Sequence, residues 1–161
     1  EIKVQTVSNF SALANTAPIV AITAPANATT ITQGASVTFT GTATDTEDGT
    51  IASSATWTSS LNGALGTGAS LSTSALSVGT HTITFAATDS GGLSDSKQIT
   101  LTVVTPYAAW LSTYGLIGND ALDTADPDGN GVPNLLEYAL GALPNTGEVS
   151  LPEPGTSGDH L

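Results

Sequence analysis

The chain has no cysteine among its 161 residues, so neither disulfides nor thiol chemistry can enter its stability or its function. Basic residues are almost as scarce: two Lys/Arg stand against fourteen Asp/Glu, for a formal net charge of −12. No basic patch exists to neutralise a run of phosphates, which argues against nucleic acid as a partner. The same balance disfavours anionic membrane surfaces. No stretch is long and apolar enough to span a bilayer, so no membrane insertion is expected. No signal peptide stands at the N-terminus; an exported protein would appear here in mature form or as a piece of something longer. Aromatic residues make up 5% of the chain, few for a module that stacks sugars. The signatures of catalysis are missing too. There is no Cys nucleophile, no Gly-x-Ser-x-Gly elbow, no phosphate-binding glycine loop and no His with a plausible Ser and Asp pairing. The carboxylates cluster in turns and not as a spaced pair in a cleft. The chain is therefore read as not an enzyme, with any activity expected in a domain upstream.

What is present is a Thr/Ser/Ala/Gly-rich, acidic chain that is 39% hydrophobic. Its length suits one or two small domains. Such compositions are typical of bacterial secreted and surface proteins, so the expected location is extracellular, at the bacterial cell surface.

Between Pro18 and Val104 short alternating runs recur at intervals of roughly ten residues, separated by Gly- and Asp-rich turns. Strands are predicted at Ile19–Ala24, Ser36–Ala43, Ala55–Ser59 (with Trp57), Ser70–Leu76, His81–Thr88 and Gln98–Val104. The parity puts Val37, Phe39, Gly41 and Ala43 on one face, as it does Ile83, Phe85 and Ala87, and Ile99, Leu101 and Val103. This is the pattern of an antiparallel sandwich. Glu1–Phe10 reads as a short strand that could finish an upstream domain, and Ser11–Thr16 as a linker of small residues.

The pieces Gly-Thr-His-Thr-Ile-Thr-Phe and Ala-Thr-Asp-Ser-Gly-Gly, with the run from Ala17 to Val104 around them, resemble the bacterial Ig-like domains of the PKD and fibronectin-III-like group. The resemblance implies a mainly β fold, an Ig-like antiparallel β-sandwich, used as a spacer or accessory module without chemistry of its own. No Ig disulfide is possible, so Trp57 is expected to pack on aliphatic neighbours alone. His81 shares its parity with Ile83 and Phe85 and is expected to play a structural part at a corner of the sandwich. Asp45, Glu47, Asp48, Asp89 and Asp95 fall in turns. They could hold a second ion, but turn chemistry explains them without one, because Asp side chains bond nearby backbone before Gly.

After Pro106 the period changes. Tyr107, Trp110, Leu111 and Tyr114 recur at helical spacing. Pro106 suits a helix start and Gly115 a helix end. A second helix is predicted over Asn134–Leu140, with Pro133 as an early helical position, Gly141 at its end and Pro144 just beyond. The aromatic stripe is expected to pack on the face bearing Leu136, Ala139, Leu140 and Leu143.

Between these helices lies the one stretch with a specific chemistry, Asp-Pro-Asp-Gly-Asn-Gly-Val-Pro-Asn-Leu-Leu-Glu. Counted from Asp126, oxygen-bearing side chains fall at positions 1 (Asp126), 3 (Asp128), 5 (Asn130), 9 (Asn134) and 12 (Glu137), and Val132 at position 7 offers its backbone carbonyl. Gly131 stands at position 6, where the bend is sharpest. A hard cation such as Ca²⁺ takes six to eight oxygens, and a short loop must curl to supply them. Five of the fourteen acids lie between Asp120 and Glu137, and a cation would offset much of their repulsion.

The loop resembles the EF-hand family, and within it the dockerin-like calcium loops of secreted bacterial proteins. The resemblance implies Ca²⁺ held by Asp126, Asp128, Asn130, Val132, Asn134 and Glu137. Two features depart from paired sensor loops. Pro133 has no N–H for the short β-bridge that couples two loops, and only one such loop is present. Leu116–Ala125 is also longer than a direct junction between helix and loop. With a Trp-bearing helix before it, the segment is similar to one recurrent near the C-termini of secreted bacterial proteins.

The expected organisation is thus an N-terminal strand and linker (1–17), the sandwich (18–105), a helix–calcium loop–helix (106–145) and a tail (146–161). The expected function is a non-catalytic extracellular accessory or spacer module with a structural calcium site, part of a larger secreted or cell-surface protein. Its expected partners are neighbouring domains, other copies of itself or cell-surface polysaccharide. Two alternatives stand beside it: a self-assembling subunit of a surface layer, filament or adhesin, and a carbohydrate-binding module.

Overall fold

Apolar–polar alternation in Thr- and Val-rich runs favours pleated strands, and nine are found in the computed structural model, which describes residues 14–147. They are β1 (Ile19–Ala24), β2 (Thr29–Thr32), β3 (Val37–Asp45), β4 (Gly49–Thr50), β5 (Thr56–Ser59), β6 (Gly63–Thr67), β7 (Ser70–Thr73), β8 (Gly79–Thr88) and β9 (Ser94–Val104). The chain divides into two units, Glu1–Val103 and Val104–Leu161. The strand expected within Glu1–Phe10 and most of the tail from 146 lie outside the described residues.

In the first unit one sheet runs β1-β3-β4, with β7 also paired to β3; the other runs β2-β9-β8-β5-β6. The long β8–β9 hairpin pairs antiparallel from Gly79 with Val103 to Thr88 with Ser94. The unit is a sandwich, because the two sheets bury their facing sides against each other. Phe39 and Ala43 from β3 meet Trp57, Ile83, Phe85 and Leu101 from β5, β8 and β9, all of them at most 0% exposed. Each parity read from the sequence for β3, β8 and β9 is the one buried, down to the partly buried Ile99.

Trp57 differs from expectation. It packs on rings, not on aliphatic side chains alone. Register sets Trp57 opposite Phe85 on the neighbouring strand, and the two rings stack at 4.2 Å between centroids. Phe39 reaches it from the other sheet at 5.4 Å. Such pairs add about 0.5–1.5 kcal/mol each beyond burial. The indole N–H donates to the Gly68 carbonyl at 2.9 Å, which satisfies the one polar atom of the ring. Gly41 makes room for this cluster: a Cβ there would lie 2.5 Å from the Phe85 ring.

The second unit holds α1 (Pro106–Thr113), a 3₁₀ turn (Gly118–Ala121) and α2 (Asn134–Leu140). Thr105 caps α1 by accepting the Ala108 N–H at 3.1 Å, with Pro106 in the first turn. Pro133 takes the capping position of α2, one place before the helical position predicted for it. Gly141 ends α2 in the left-handed conformation at φ 72°.

The aromatic stripe of α1 packs on a different face of α2 from the one expected. Tyr107 and Trp110 meet Tyr138, at 5.2 and 5.7 Å between ring centroids. Leu136, Leu140 and Leu143 instead remain 47%, 38% and 41% exposed. Helix α2 is inverted relative to an ordinary amphipathic helix. Its inward stripe is Asn134, Glu137 and Tyr138, and its leucines face outward. The prediction failed because periodicity identifies an apolar face but does not say that this face is the one buried.

Candidate metal centre

Residues 126–137 curl as a loop because their own side chains compete for the backbone. Asp126 Oδ1 accepts the Asn130 N–H at 3.1 Å, and its Oδ2 accepts the Gly131 N–H at 2.8 Å. Asp128 Oδ1 accepts the Asn130 N–H at 3.2 Å, and Asn130 Oδ1 accepts the Val132 N–H at 2.7 Å. Successive Asx turns thus bend the chain with the carboxylates on the inside. Gly131 takes φ 89°, the positive value the bend requires.

The base of the loop is closed by backbone. The Asn134 N–H donates to the Ala125 carbonyl at 2.8 Å, and the Leu135 N–H to that of Asp123 at 3.2 Å. These bonds set the start of α2 beside the start of the loop. They explain how Glu137, on the first turn of α2, returns to the loop side chains.

Glu137 is the informative residue. It is 0% exposed, its Oε1 accepts the Asn130 amide at 3.0 Å, and its Oε2 is buried with no hydrogen-bond partner. A buried carboxylate oxygen with nothing to accept is costly, because burial without compensation disfavours the charged form. No Lys, Arg or His occurs in 104–147 to compensate it. The Asn130 amide nitrogen lies between Glu137 and Asp128, 3.2 Å from Asp128 Oδ2. Its N–H hydrogens bring partial positive charge to both carboxylates.

Of the six expected ligands, the structure links Asp126, Asp128, Asn130, Val132 and Glu137 in one hydrogen-bonded group. It engages the Asn134 amide nitrogen elsewhere. Asn134 is 0% exposed, and its Nδ2 donates to the carbonyls of Asp120 at 2.6 Å and Leu122 at 3.0 Å. Its Oδ1 is buried without a partner. The side chain therefore latches the connector between the helices onto the start of α2. Sequence spacing alone could not reveal this, because the connector carbonyls it holds carry no residue signature.

A further partner was also invisible in the spacing. The Gly147 N–H reaches Asp128 Oδ2 at 2.8 Å. This bond, more than any other, holds the Asp128 carboxyl below the usual carboxylate range; burial works against it and the Asn130 N–H with it. The residues present suit a hard cation through carboxylate, amide and carbonyl oxygens. Among the described residues no three Asp, Glu, His or Cys side chains stand close enough to form a metal cage by themselves.

The acidic turns of the sandwich are mostly occupied by backbone and neighbouring side chains. Asp45 Oδ1 accepts the N–H groups of Glu47 and Asp48 at 2.9 and 2.8 Å, which is turn chemistry. Asp48 accepts the Ser90 N–H and hydroxyl, and these hold its carboxyl below the usual range. Asp89 accepts Leu93 N–H and the Asn15 amide; Asp95 accepts Val20 N–H. Asp45 Oδ2 alone is buried and unpaired.

His81 has a serine partner that the sequence did not suggest. Ser59 Oγ accepts the N–H groups of Leu61 and Asn62, so its proton donates to His81 Nδ1 at 2.7 Å. His81 Nε2 therefore carries the ring proton and donates it to the Ser77 carbonyl at 2.8 Å. Both ring nitrogens are thus engaged by Ser59 and Ser77, no carboxylate among the described residues completes the pair, and His81 is 0% exposed. The geometry is that of a structural tie between β5, β8 and the turn at Ser77.

No protein-family model matches the chain, and no curated protein matches it.

Proposed function

We propose that the chain is a non-catalytic extracellular accessory module: an Ig-like β-sandwich followed by a helix–calcium loop–helix whose cation is structural. The observation that carries this reading is the fully buried Glu137 with its unpartnered Oε2, set beside Asp126, Asp128 and Asn130 in a stretch, 104–147, that holds no Lys, Arg or His. A divalent cation would supply the missing positive charge. Asp126, Asp128, Asn130 and Glu137 would hold it through side-chain oxygens and Val132 through its carbonyl. Asn134, placed at position 9 by spacing, would join them through its unpaired Oδ1, while its Nδ2 latches the loop's base. The acidic, cysteine-free composition supports a place outside the cell, where calcium is abundant.

The expected affinity is that of extracellular modules, about 10⁻⁴ to 10⁻³ M. At about twentyfold excess over that constant, binding stabilises by roughly 1.8 kcal/mol. Calorimetric titration with calcium should give near-stoichiometric binding that disappears in Asp126→Ala/Glu137→Ala. A flat titration of the intact chain would sink the reading, and self-assembly would become the working model.

A further inference from the structure

The outward face of α2 has more apolar surface than a free helix of this length needs. Leu135 and Leu136 are each 47% exposed, and Leu140 is 38% exposed. Beside them Asp123, Thr124, Pro133 and Ala139 complete an open groove of about 360 Å³ with Leu135 and Leu136. That volume lies at the small end of ligand-sized sites. Nearly all of the groove's wall is carbon, and one carboxylate, Asp123, stands at its margin. Scattered exposed leucines need no explanation, but contiguous ones on one helix face do. The inversion of α2 sharpens the point. The helix spends its inward stripe on Asn134, Glu137 and Tyr138, so its leucines stabilise nothing within the unit to the extent that burial would allow.

Charge decides what can cover this face. Residues 104–147 carry Asp120, Asp123, Asp126, Asp128 and Glu137 and no Lys, Arg or His. One bound divalent cation would still leave the unit negative. A second copy would bring the same acidic rim against this one, and like charges across an interface are costly. The chain's own segment 148–161 adds Glu148, Glu153 and Asp159 with no Lys or Arg, and so offers no better match.

We propose that the outward face of α2 is a docking surface for another protein's helix, one that presents leucine-like side chains to the groove and Lys or Arg at its flanks. The leucines would supply affinity by burial. The basic flanks would pair with Asp123 and its acidic neighbours and set partner choice and the rate of encounter. None of the groove's lining residues belongs to the candidate ligand set, so the proposal does not rest on the calcium reading.

The test uses the full chain with calcium present and a labelled synthetic helix of about 18 residues built from Leu and Lys, with Leu at helical spacing. The control peptide carries Glu in place of Lys. Fluorescence anisotropy should show the Lys peptide binding at least about tenfold tighter than the Glu peptide. Leu135→Gln/Leu136→Gln, which keeps every charge, should weaken it about tenfold or more while leaving the melting curve unchanged. Equal binding of both peptides, no binding of either, or undiminished binding to the double variant would overturn the proposal. So would a concentration-dependent dimer in sedimentation that the same substitutions abolish, since the occupant would then be a second copy. Shifts of the Leu135 and Leu136 methyl resonances in Val149→Ser/Leu151→Ser would overturn it in favour of the chain's own C-terminal segment.

Discussion

The two units are held together by different physics. Among the described residues the first buries thirteen apolar side chains, from Val20 to Val103, around the Phe39–Trp57–Phe85 stack. The second contributes none to that set; its most buried side chains are Asn134, Glu137 and Pro144. One unit rests on a buried apolar core, the other on a half-buried cluster of Tyr107, Trp110, Tyr114 and Tyr138 together with hydrogen bonds to a short connector and a loop of carboxylates. A core of rings tolerates changes of solvent chemistry and fails when volume is removed. A polar scaffold behaves the opposite way. It loses little when a methyl group is lost and much when a donor is removed from a buried acceptor.

Trp57→Ala is the largest test of that contrast. It removes the ring shared by Phe39 and Phe85, and aromatic-to-alanine changes in cores cost about 3–5 kcal/mol. A sandwich domain of this size has only about 5–15 kcal/mol in total. The loss should appear as a steep fall in the denaturant midpoint followed by near-UV circular dichroism, and calcium should not restore it. Recovery on adding calcium would show that the two units do not divide the physics as described.

Asn134→Asp comes next, and it separates two roles for one residue. The change is almost isosteric. If Asn134 served chiefly as a ligand, a carboxylate in its place would bind calcium as well or better. As a latch, Asn134 donates to the carbonyls of Asp120 and Leu122, and Asp cannot. It would set a buried negative charge against two carbonyl oxygens. The expected loss is about 1–3 kcal/mol or more, visible as earlier melting of the second unit in EDTA, where no cation contributes. Unchanged melting in EDTA with tighter calcium binding would show that Asn134 acts chiefly as a ligand and not as a latch.

How much of this was legible in the sequence follows the same divide. The strand faces of β3, β8 and β9 could be read because one side of each is fully buried, and burial writes a period of two into the residues. Strands β2, β4 and β6 were missed. They are short, and residues such as Gly63–Thr67 expose both faces, so nothing in their side chains alternates; only pairing defines them. The ends of α2 were legible through Gly141, but not its orientation. Tyr138, Asn134 and Glu137 are the inward residues, and no hydropathy pattern predicts a helix that turns its leucines out. The loop's ligand spacing was plain from Asp126 to Glu137. What the spacing could not supply was the environment: the unpaired Glu137 Oε2, the Asn134 latch and the Gly147 N–H on Asp128.

The smallest effect is the most specific, and it concerns Tyr107. Burial pushes its hydroxyl above the ordinary tyrosine value, and the negative charge of Asp123 adds to the shift. The hydroxyl oxygen is buried beside the Asp123 carboxylate, whose contact adds to the shift but falls short of a well-formed hydrogen bond. A group whose folded pKa is raised contributes stability that is present below its unfolded value, about 10, and is lost as pH climbs through the folded one. The second unit should therefore loosen in alkali before the sandwich does. In acid the order of causes is different. Asp48 in the first unit and Asp128 in the second both have lowered folded values, so each contributes above about pH 4 and is lost below it. Acid thus weakens both units, and alkali singles out the second. Tyr107→Phe keeps the ring against Tyr138 and Trp110 and deletes only the unsatisfied hydroxyl. It should be neutral at pH 7 or stabilising by up to about 1 kcal/mol, and it should remove the extra alkaline sensitivity when melts are compared at pH 7 and above pH 10. A clear loss of stability in Tyr107→Phe at pH 7 would mean that the contact with Asp123 is a net-stabilising hydrogen bond. The second unit would then owe part of its order to a bond at Tyr107, and not only to the latch at Asn134 and the carboxylate loop.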